Sequence, residues 1–278
     1  MEASTLRRVE GKVAFITGAA RGQGRAHAVR LAEEGADVIA VDICEPLATV
    51  PYDMGTAADL EETVREVEAL GARIVARQAD VRDLAALTAA VEAGVAELGP
   101  LDLVVANAGI CSYDTAAAMS EDVWQEMIDI NLTGAWKTIK ASAPHLNDGA
   151  SIVLTSSVVG IKGFPNIAHY AAAKHGLVGL MQSVAHELSP RGIRVNSIHP
   201  ATVNTRMVHN RASYELFRPD LEEPGRADFE EVAADIHLLP GGPMDPIEIA
   251  NAVLFLASDE ARCISGVALP IDAGILVK

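Results

Sequence analysis

The sequence predicts an α/β fold in a single domain over residues 1–278, a doubly wound parallel sheet with helices on both faces. Three observations carry this. Apolar runs of strand length alternate with helical stretches along the chain. The first such run, Lys12 to Thr17, opens directly into a glycine-rich turn and then a helix. A length of 278 residues, 50% of them hydrophobic and 22% charged, suits one large globular domain. In such a fold, ligands bind at the carboxyl ends of the strands.

The turn after the first strand runs Gly18-Ala-Ala-Arg21-Gly22-Gln23-Gly24 before a helix that ends near Glu34. Missing Cβ atoms let backbone turn sharply and approach a pyrophosphate, whose charge the helix N-terminus attracts. A glycine turn without a ligand is the plain alternative. The second strand, Asp37 to Val41, delivers Asp42 and Ile43 at its end. A carboxylate there accepts both hydroxyls of an adenosine ribose and repels a 2′-phosphate. Arg21 argues the other way, toward NADP, but can turn to solvent, so NAD is expected. Residues 43–56 then form an apolar, proline-containing insertion, placed over the adenosine end of the cofactor or tolerated as surface.

Ala57 to Leu70 reads as a helix and Arg73 to Gln78 as the third strand. Asp80 and Val81 follow, placed to read an adenine edge, Asp80 also being a candidate N-cap for the helix from Leu84 to Glu97. The fourth strand, Leu101 to Ala106, ends in Asn107, Ala108 and Gly109, where small residues allow close approach of a ligand or strand. Ser120 to His145 reads largely as one helix with Asn131 inside it. A polar residue disfavoured in mid-helix needs a partner, either a kinked backbone or a water or carbonyl near Lys174.

The apolar run Ser151 to Thr155 is the fifth strand, with Ser157 just beyond its end. Thirteen positions later Tyr170 begins the pair Tyr170–Lys174, one helical turn apart on one face. A phenol is a poor base at neutral pH, and an ammonium nearby favours phenolate. Tyr170 is then a candidate general acid/base and Ser157 the hydroxyl that holds a substrate oxygen. Ile193 to Ile198 is the sixth strand, leading into Pro200, Val203 and Thr205. Residues 205–245 are polar and irregular apart from a short helix near Glu230 to His237, a candidate substrate lid. A helix from Pro246 to Ala257 and a strand from Val267 to Ile271 complete the sheet.

Composition narrows the function. The formal charge of −16 is spread along the chain and no Lys/Arg cluster forms a phosphate-binding stripe, which argues against nucleic acid. No apolar run suits a signal peptide or a bilayer span, so a cytoplasmic protein without a membrane partner is expected. Cys44, Cys111 and Cys263 suggest neither a disulfide framework nor a metal site, and the eight His residues form no metal-binding motif.

In their order and spacing Thr17-Gly18 through Gly24, Asp80, Asn107-Ala108-Gly109, Asn131, Ser157, Tyr170 and Lys174 resemble the short-chain dehydrogenase/reductase family, over about Gly11 to Gly274. The resemblance implies a Rossmann fold, an NAD-dependent alcohol dehydrogenase or carbonyl reductase, and a homotetramer. It makes Tyr170 the acid/base, Lys174 the group that lowers its pKa and holds the nicotinamide ribose, Ser157 the holder of the substrate oxygen, and Asn131 the anchor of a relay water. Pro200, Val203 and Thr205 would hold the carboxamide end of the cofactor. Two departures stand out: Pro200-Ala201 replaces the family's Pro-Gly, and Asp272-Ala273-Gly274 its Asp-Gly-Gly. The 43–56 insertion and the HPATVNTRM run resemble the mycofactocin-associated, carveol dehydrogenase-like branch. There NAD is held as a tightly bound group and reoxidised by an external redox carrier. The substrate expected is a lipophilic secondary alcohol or ketone, since Val159, Phe164, Ile167, Met207 and Met244 offer apolar surface near the strand ends. The competing functions are a ketoreductase with freely exchanging NAD(H) and a non-catalytic dinucleotide sensor.

Overall fold

A computed structural model describes residues 7–278. Seven strands form one parallel sheet: β1 (Val13–Thr17), β2 (Asp37–Asp42), β3 (Ile74–Gln78), β4 (Leu101–Ala106), β5 (Leu146–Thr155), β6 (Arg194–Pro200) and β7 (Ala268–Ile271). Their spatial order is β3-β2-β1-β4-β5-β6-β7. The chain therefore reverses direction across the sheet between β1 and β4. This is the switch point, where the connections leave to opposite faces and a crevice opens at the strand ends.

Both faces of the sheet's five central strands are buried, which is why these strands read as continuous rather than alternating apolar runs, while the edge strands β3 and β7 are partly exposed. One face packs under α3 (Leu84–Leu98), α5 (Gly134–Ser142) and α6 (Ala168–Leu188), through residues such as Leu87, Ile139 and Leu177. The other packs under α1 (Gly22–Glu33), α2 (Ala57–Ala69) and α9 (Pro246–Ala257), through Leu31, Val67 and Leu254. No helix among the described residues is long and apolar enough to cross a membrane.

Side-chain caps fix where the helices begin. Thr56 and Asp59 form a reciprocal capping box on α2, and Asp83 accepts from Ala85 and Ala86 at the start of α3. Asp83, not Asp80, is thus the cap of that helix. The long helix expected from Ser120 to His145 is α4 (Glu121–Ile128) and α5 joined by a π turn, Asp129–Thr133, with Asn131 at its centre. A π turn inserts one extra residue in the ladder, which lets a polar side chain turn inward without breaking the helix. β5 begins earlier than its apolar run indicates, because Leu146 already pairs with Leu101 before a register shift.

Residues 205–245 are not irregular apart from one short helix, but carry two. Besides α8 (Arg226–Ile236) they form α7 (Arg211–Phe217), capped by the Asn210 side chain on Ser213 N. Both helices fold around Phe229, fully buried, whose ring lies 5.0 Å from Phe217 and 5.6 Å from Tyr214. A helix of two turns is too short to show periodicity, and its stability comes from this aromatic contact with a later segment.

Candidate active site

The glycine turn is shaped by backbone crowding. Gly18 has φ +69°, and a Cβ there would lie 2.8 Å from Ala108 Cα; at Gly24 it would meet Gly18 O at 1.9 Å. Asn107 locks the turn from the β4 side, its amide donating to Thr17 O at 3.0 Å and its backbone N–H to Thr17 Oγ1 at 3.1 Å. The start of α1 has no acidic residue in its first turn and no side-chain cap, so its N–H groups and positive dipole end face the crevice. Gln23 Oε1 is buried in the same place without a protein partner.

Asp42, only 8% exposed, accepts from Ala20 N and Cys44 N at 3.0 Å, one bond on each oxygen. One lone-pair direction on each oxygen remains for a ligand hydroxyl. Arg21 does not turn to solvent. Its guanidinium stacks 5.7 Å above the Tyr52 ring, and burial lowers its pKa. Asp80 is tied to Arg82, accepting from its backbone N and its Nε, both at 2.8 Å.

On the other wall, Ser157 follows β5, and Tyr170 and Lys174 share one face of α6. Gly109 permits the close approach, since a Cβ there would stand 2.6 Å from Asn131 Oδ1 and 3.5 Å from Lys174 Nζ. Asn131 binds a backbone, accepting from Ile110 N and donating to Ile110 O, each at 2.9 Å. Lys174 Nζ donates to Thr155 O at 2.8 Å and sits 5.4 Å from the Tyr170 ring centre. The expected lowering of the Tyr170 pKa by Lys174 is not what dominates here. Burial pushes the phenol above its ordinary value and brings Lys174 down to about 8, because a low-dielectric setting disfavours charge on either group. A hydrogen bond from Ser157 opposes the rise.

The crevice holding all this contains about 1140 Å³ of empty space, part of it open solvent. It is lined by Gly18, Arg21, Gln23, Gly24, Asp42, Ile43, Asp80, Val81, Asn107, Ala108 and Gly109 on one side, and by Ser157, Tyr170, Lys174, Pro200, Val203 and Thr205 on the other. Of the site residues expected from sequence, Asn131 alone stands behind the wall, under Ile110. Beyond Tyr170 lies an apolar cluster of Val158, Val159, Ile167 and Ile275, with Tyr113, Phe164 and Ala201 packed on it. The methyl of Ala201 belongs to that cluster. Met207 lines the crevice, whereas Met244 packs on the opposite core with Val203.

Three bridges not expected from the sequence lie around the crevice, through residues outside its lining. Tyr52 Oη, on the 43–56 insertion, accepts from Cys111 N at 3.1 Å, so the insertion reaches past the adenosine end to the segment after β4. Arg206 pairs with Asp59 through two bonds of 3.1 Å, joining the 205–245 segment to α2. Tyr113 Oη and Ser213 Oγ, 2.7 Å apart, join the same β4 segment to α7. These contacts span tens of residues or more, and no local pattern announces them.

A crevice that sets a glycine turn against a half-buried tyrosine and a buried lysine belongs to an oxidoreductase working on a bound dinucleotide. Comparison with known proteins makes the class particular. A family model described as Enoyl-(Acyl carrier protein) reductase matches residues 18–276. The chain is 52% identical to the (-)-trans-carveol dehydrogenase of Rhodococcus erythropolis, over 98% of this chain and 100% of that one. Carveol dehydrogenase from Mycobacterium avium, crystallised in complex with NAD, superposes with a TM-score of 0.95 at 56% identity, covering 98% of this chain and 99% of that one. A short chain dehydrogenase from Mycobacterium paratuberculosis bound to NAD gives a TM-score of 0.88 at 44% identity, covering 98% of this chain and 100% of that one. The chain belongs to the short-chain dehydrogenase/reductase family.

Proposed function

We propose that the protein is an NAD-dependent dehydrogenase of lipophilic cyclic secondary alcohols, acting reversibly on the corresponding ketones. The observation that carries this is the meeting of Ser157, Tyr170 and Lys174 with the glycine turn and Asp42 in one crevice. The residues present fit NAD. Gln23 Oε1 and Thr155 Oγ1 are buried polar atoms without protein partners, and Asp42 keeps acceptor capacity suited to an unphosphorylated ribose. The likeness to carveol dehydrogenases and the apolar cluster beyond Tyr170 support a cyclic, uncharged substrate.

Bound NAD supplies the two-electron acceptor for the carbinol carbon. The chain supplies orientation and the proton path. Ser157 holds the substrate oxygen against Tyr170, and Tyr170 Oη takes the hydroxyl proton in oxidation and returns it in reduction. Burial favours the proton-bearing phenol, the form ready to donate to a ketone oxygen. Lys174, held by Thr155 O, places a cation where a developing phenolate needs one. Asn131 fixes the Ile110 backbone behind the crevice wall, and a relay water at that place is the proposed route of the proton to solvent.

The finer reading is that NAD stays bound through turnover and an external carrier, of the mycofactocin type, reoxidises it. The 43–56 insertion supports it, since its Leu47, Met54 and Gly55 line the crevice, and the Tyr52 and Arg206 bridges tie down the segments around it. A homotetramer in the cytoplasm completes the reading, supported by the exposed Trp124 and Trp136 on α4 and α5 and by three free cysteines.

Tyr170→Phe tests the core of this assignment. It should fold and retain NAD while turnover falls by about 10² to 10⁴. The assay uses carveol with an artificial electron acceptor, and a near wild-type rate would show that another group handles the proton.

A further inference from the structure

Outside the family set of Asn131, Ser157, Tyr170 and Lys174, a buried histidine bonds directly to Ser157 and has no role in the proposed reaction. His199, on β6, is fully buried, and its two ring nitrogens both have partners. Nδ1 lies 2.7 Å from the backbone carbonyl of Ser157, and Nε2 lies 2.9 Å from Ser197 Oγ. A carbonyl oxygen only accepts, so Nδ1 carries the proton. Ser197 then donates its hydroxyl proton to Nε2 of a neutral ring, and burial holds that ring neutral.

Ser157 lies outside regular strand pairing, between the end of β5 and a short 3-10 turn, Val158–Gly160. Its carbonyl has two donors, Gly160 N at 2.8 Å from within that turn and His199 Nδ1 from the neighbouring strand. The first bond shapes the turn. Only the second ties the Ser157 carbonyl to the sheet. The Ser157 hydroxyl is itself committed on one side, accepting from Val159 N at 3.2 Å, with Pro200 O 3.5 Å away on β6. A hydroxyl whose backbone is fixed from both sides presents one orientation to the crevice, which is what holding a reacting oxygen requires.

We propose that His199 is a positioning residue for the reaction: by donating Nδ1–H to the Ser157 carbonyl it sets the orientation in which the Ser157 hydroxyl meets the substrate oxygen. The inference rests on the role proposed above for Ser157. It does not make His199 a proton donor, since the ring touches neither the crevice nor Tyr170 Oη.

Isosteric amides separate positioning from packing. Asn places an amide nitrogen near His Nδ1 and preserves the bond to Ser157, whereas Gln places its terminal atoms near Nε2 and preserves only the bond to Ser197. With carveol and an artificial acceptor, His199→Gln and His199→Leu should lower kcat by about 10- to 100-fold, as expected for a misplaced reacting geometry. NAD content after desalting should not change, and His199→Asn should keep kcat within about threefold of wild type. In a Ser157→Ala background, His199→Gln should cost nothing further in kcat, because the two act as one unit. Undiminished kcat in His199→Gln overturns the inference, as does an Asn variant as slow as the Leu variant, or full additivity with Ser157→Ala. If Tyr170→Phe is inactive while His199→Gln is normal, only this inference fails; if Tyr170→Phe is active, the proposed reaction itself fails.

Discussion

Asp42 does two jobs with one carboxylate. It pins the glycine turn by accepting from Ala20 N, and it offers its remaining lone pairs to whatever lies at the end of β2. Asp42→Asn keeps an oxygen for Ala20 N and removes the charge that repels a 2′-phosphate. The preference for NAD over NADP should fall by about tenfold or more, the equivalent of about 1.4 kcal/mol, in calorimetry on apoprotein. Equal preference in variant and wild type would place the ribose elsewhere. Ala273 is the other informative residue. The family pattern has glycine there, and Ala273 adopts φ +47°, where a Cβ is crowded. Ala273→Gly should therefore stabilise the fold by roughly 0.5 to 1 kcal/mol, read as a higher urea midpoint with unchanged slope. Residues of this kind were legible in the sequence, because glycine, a strand-end acid and a Tyr–Lys pair carry their chemistry in their spacing. What spacing did not disclose was protonation. Tyr170 and Lys174 are one turn apart as expected, but how far each departs from its ordinary pKa follows from burial, a property of the folded surroundings.

Among the elements, the five central strands and the helices that cover them were readable because each buries a continuous apolar face, the edge strands β3 and β7 from their short apolar starts, and the two irregular segments only as interruptions. The 43–56 insertion was expected over the adenosine end. Its Leu47, Met54 and Gly55 line the crevice with Asp42, and its Tyr52 reaches further, to Cys111 on the segment after β4, while Arg21 stacks on the same ring. Removing that hydroxyl with Tyr52→Phe should quicken exchange of labelled NAD about fivefold, since a hydrogen bond of this kind contributes about 1 kcal/mol. Replacing residues 46–54 by a short turn should quicken it by one to two orders of magnitude, at about 2.5 kcal/mol per 100 Å² of apolar cover. Exchange that is fast in wild type and indifferent to both changes would leave an ordinary dehydrogenase with freely cycling NAD. The 205–245 segment hid α7 because its packing partner, Phe229, lies in the next helix.

At the scale of the whole molecule, stability should depend on acid through the buried imidazoles of His27, His169, His199 and His237, whose pKa values burial lowers, His27 foremost. His27, on α1 under the glycine turn, is fully buried with neither nitrogen in hydrogen-bonding geometry, although the Asn107 side chain lies near enough to favour the charged form slightly. Burial lowers its pKa to about 3. The folded ring stays neutral below its ordinary pKa of about 6.5 while the unfolded ring takes up a proton. Stability should thus fall as pH drops from about 6.5 toward 3, by about 1.4 kcal/mol for each unit. His27→Leu should flatten that limb in urea titrations at pH 7, 6 and 5, and an unchanged slope would show that other groups govern acid unfolding. The Arg206–Asp59 pair has a consequence of a different kind. It fastens the segment beside the substrate to the helix beside the adenosine, so neither end of the crevice opens without disturbing the other. A partly exposed pair contributes about 1 kcal/mol at most. Within that limit, thermodynamic reciprocity requires that an alcohol which tightens the hold on NAD be itself held tighter by NAD, by the same factor of up to about five. The clamp thereby lets a bound alcohol slow the loss of NAD, in keeping with a cofactor that stays in place through turnover.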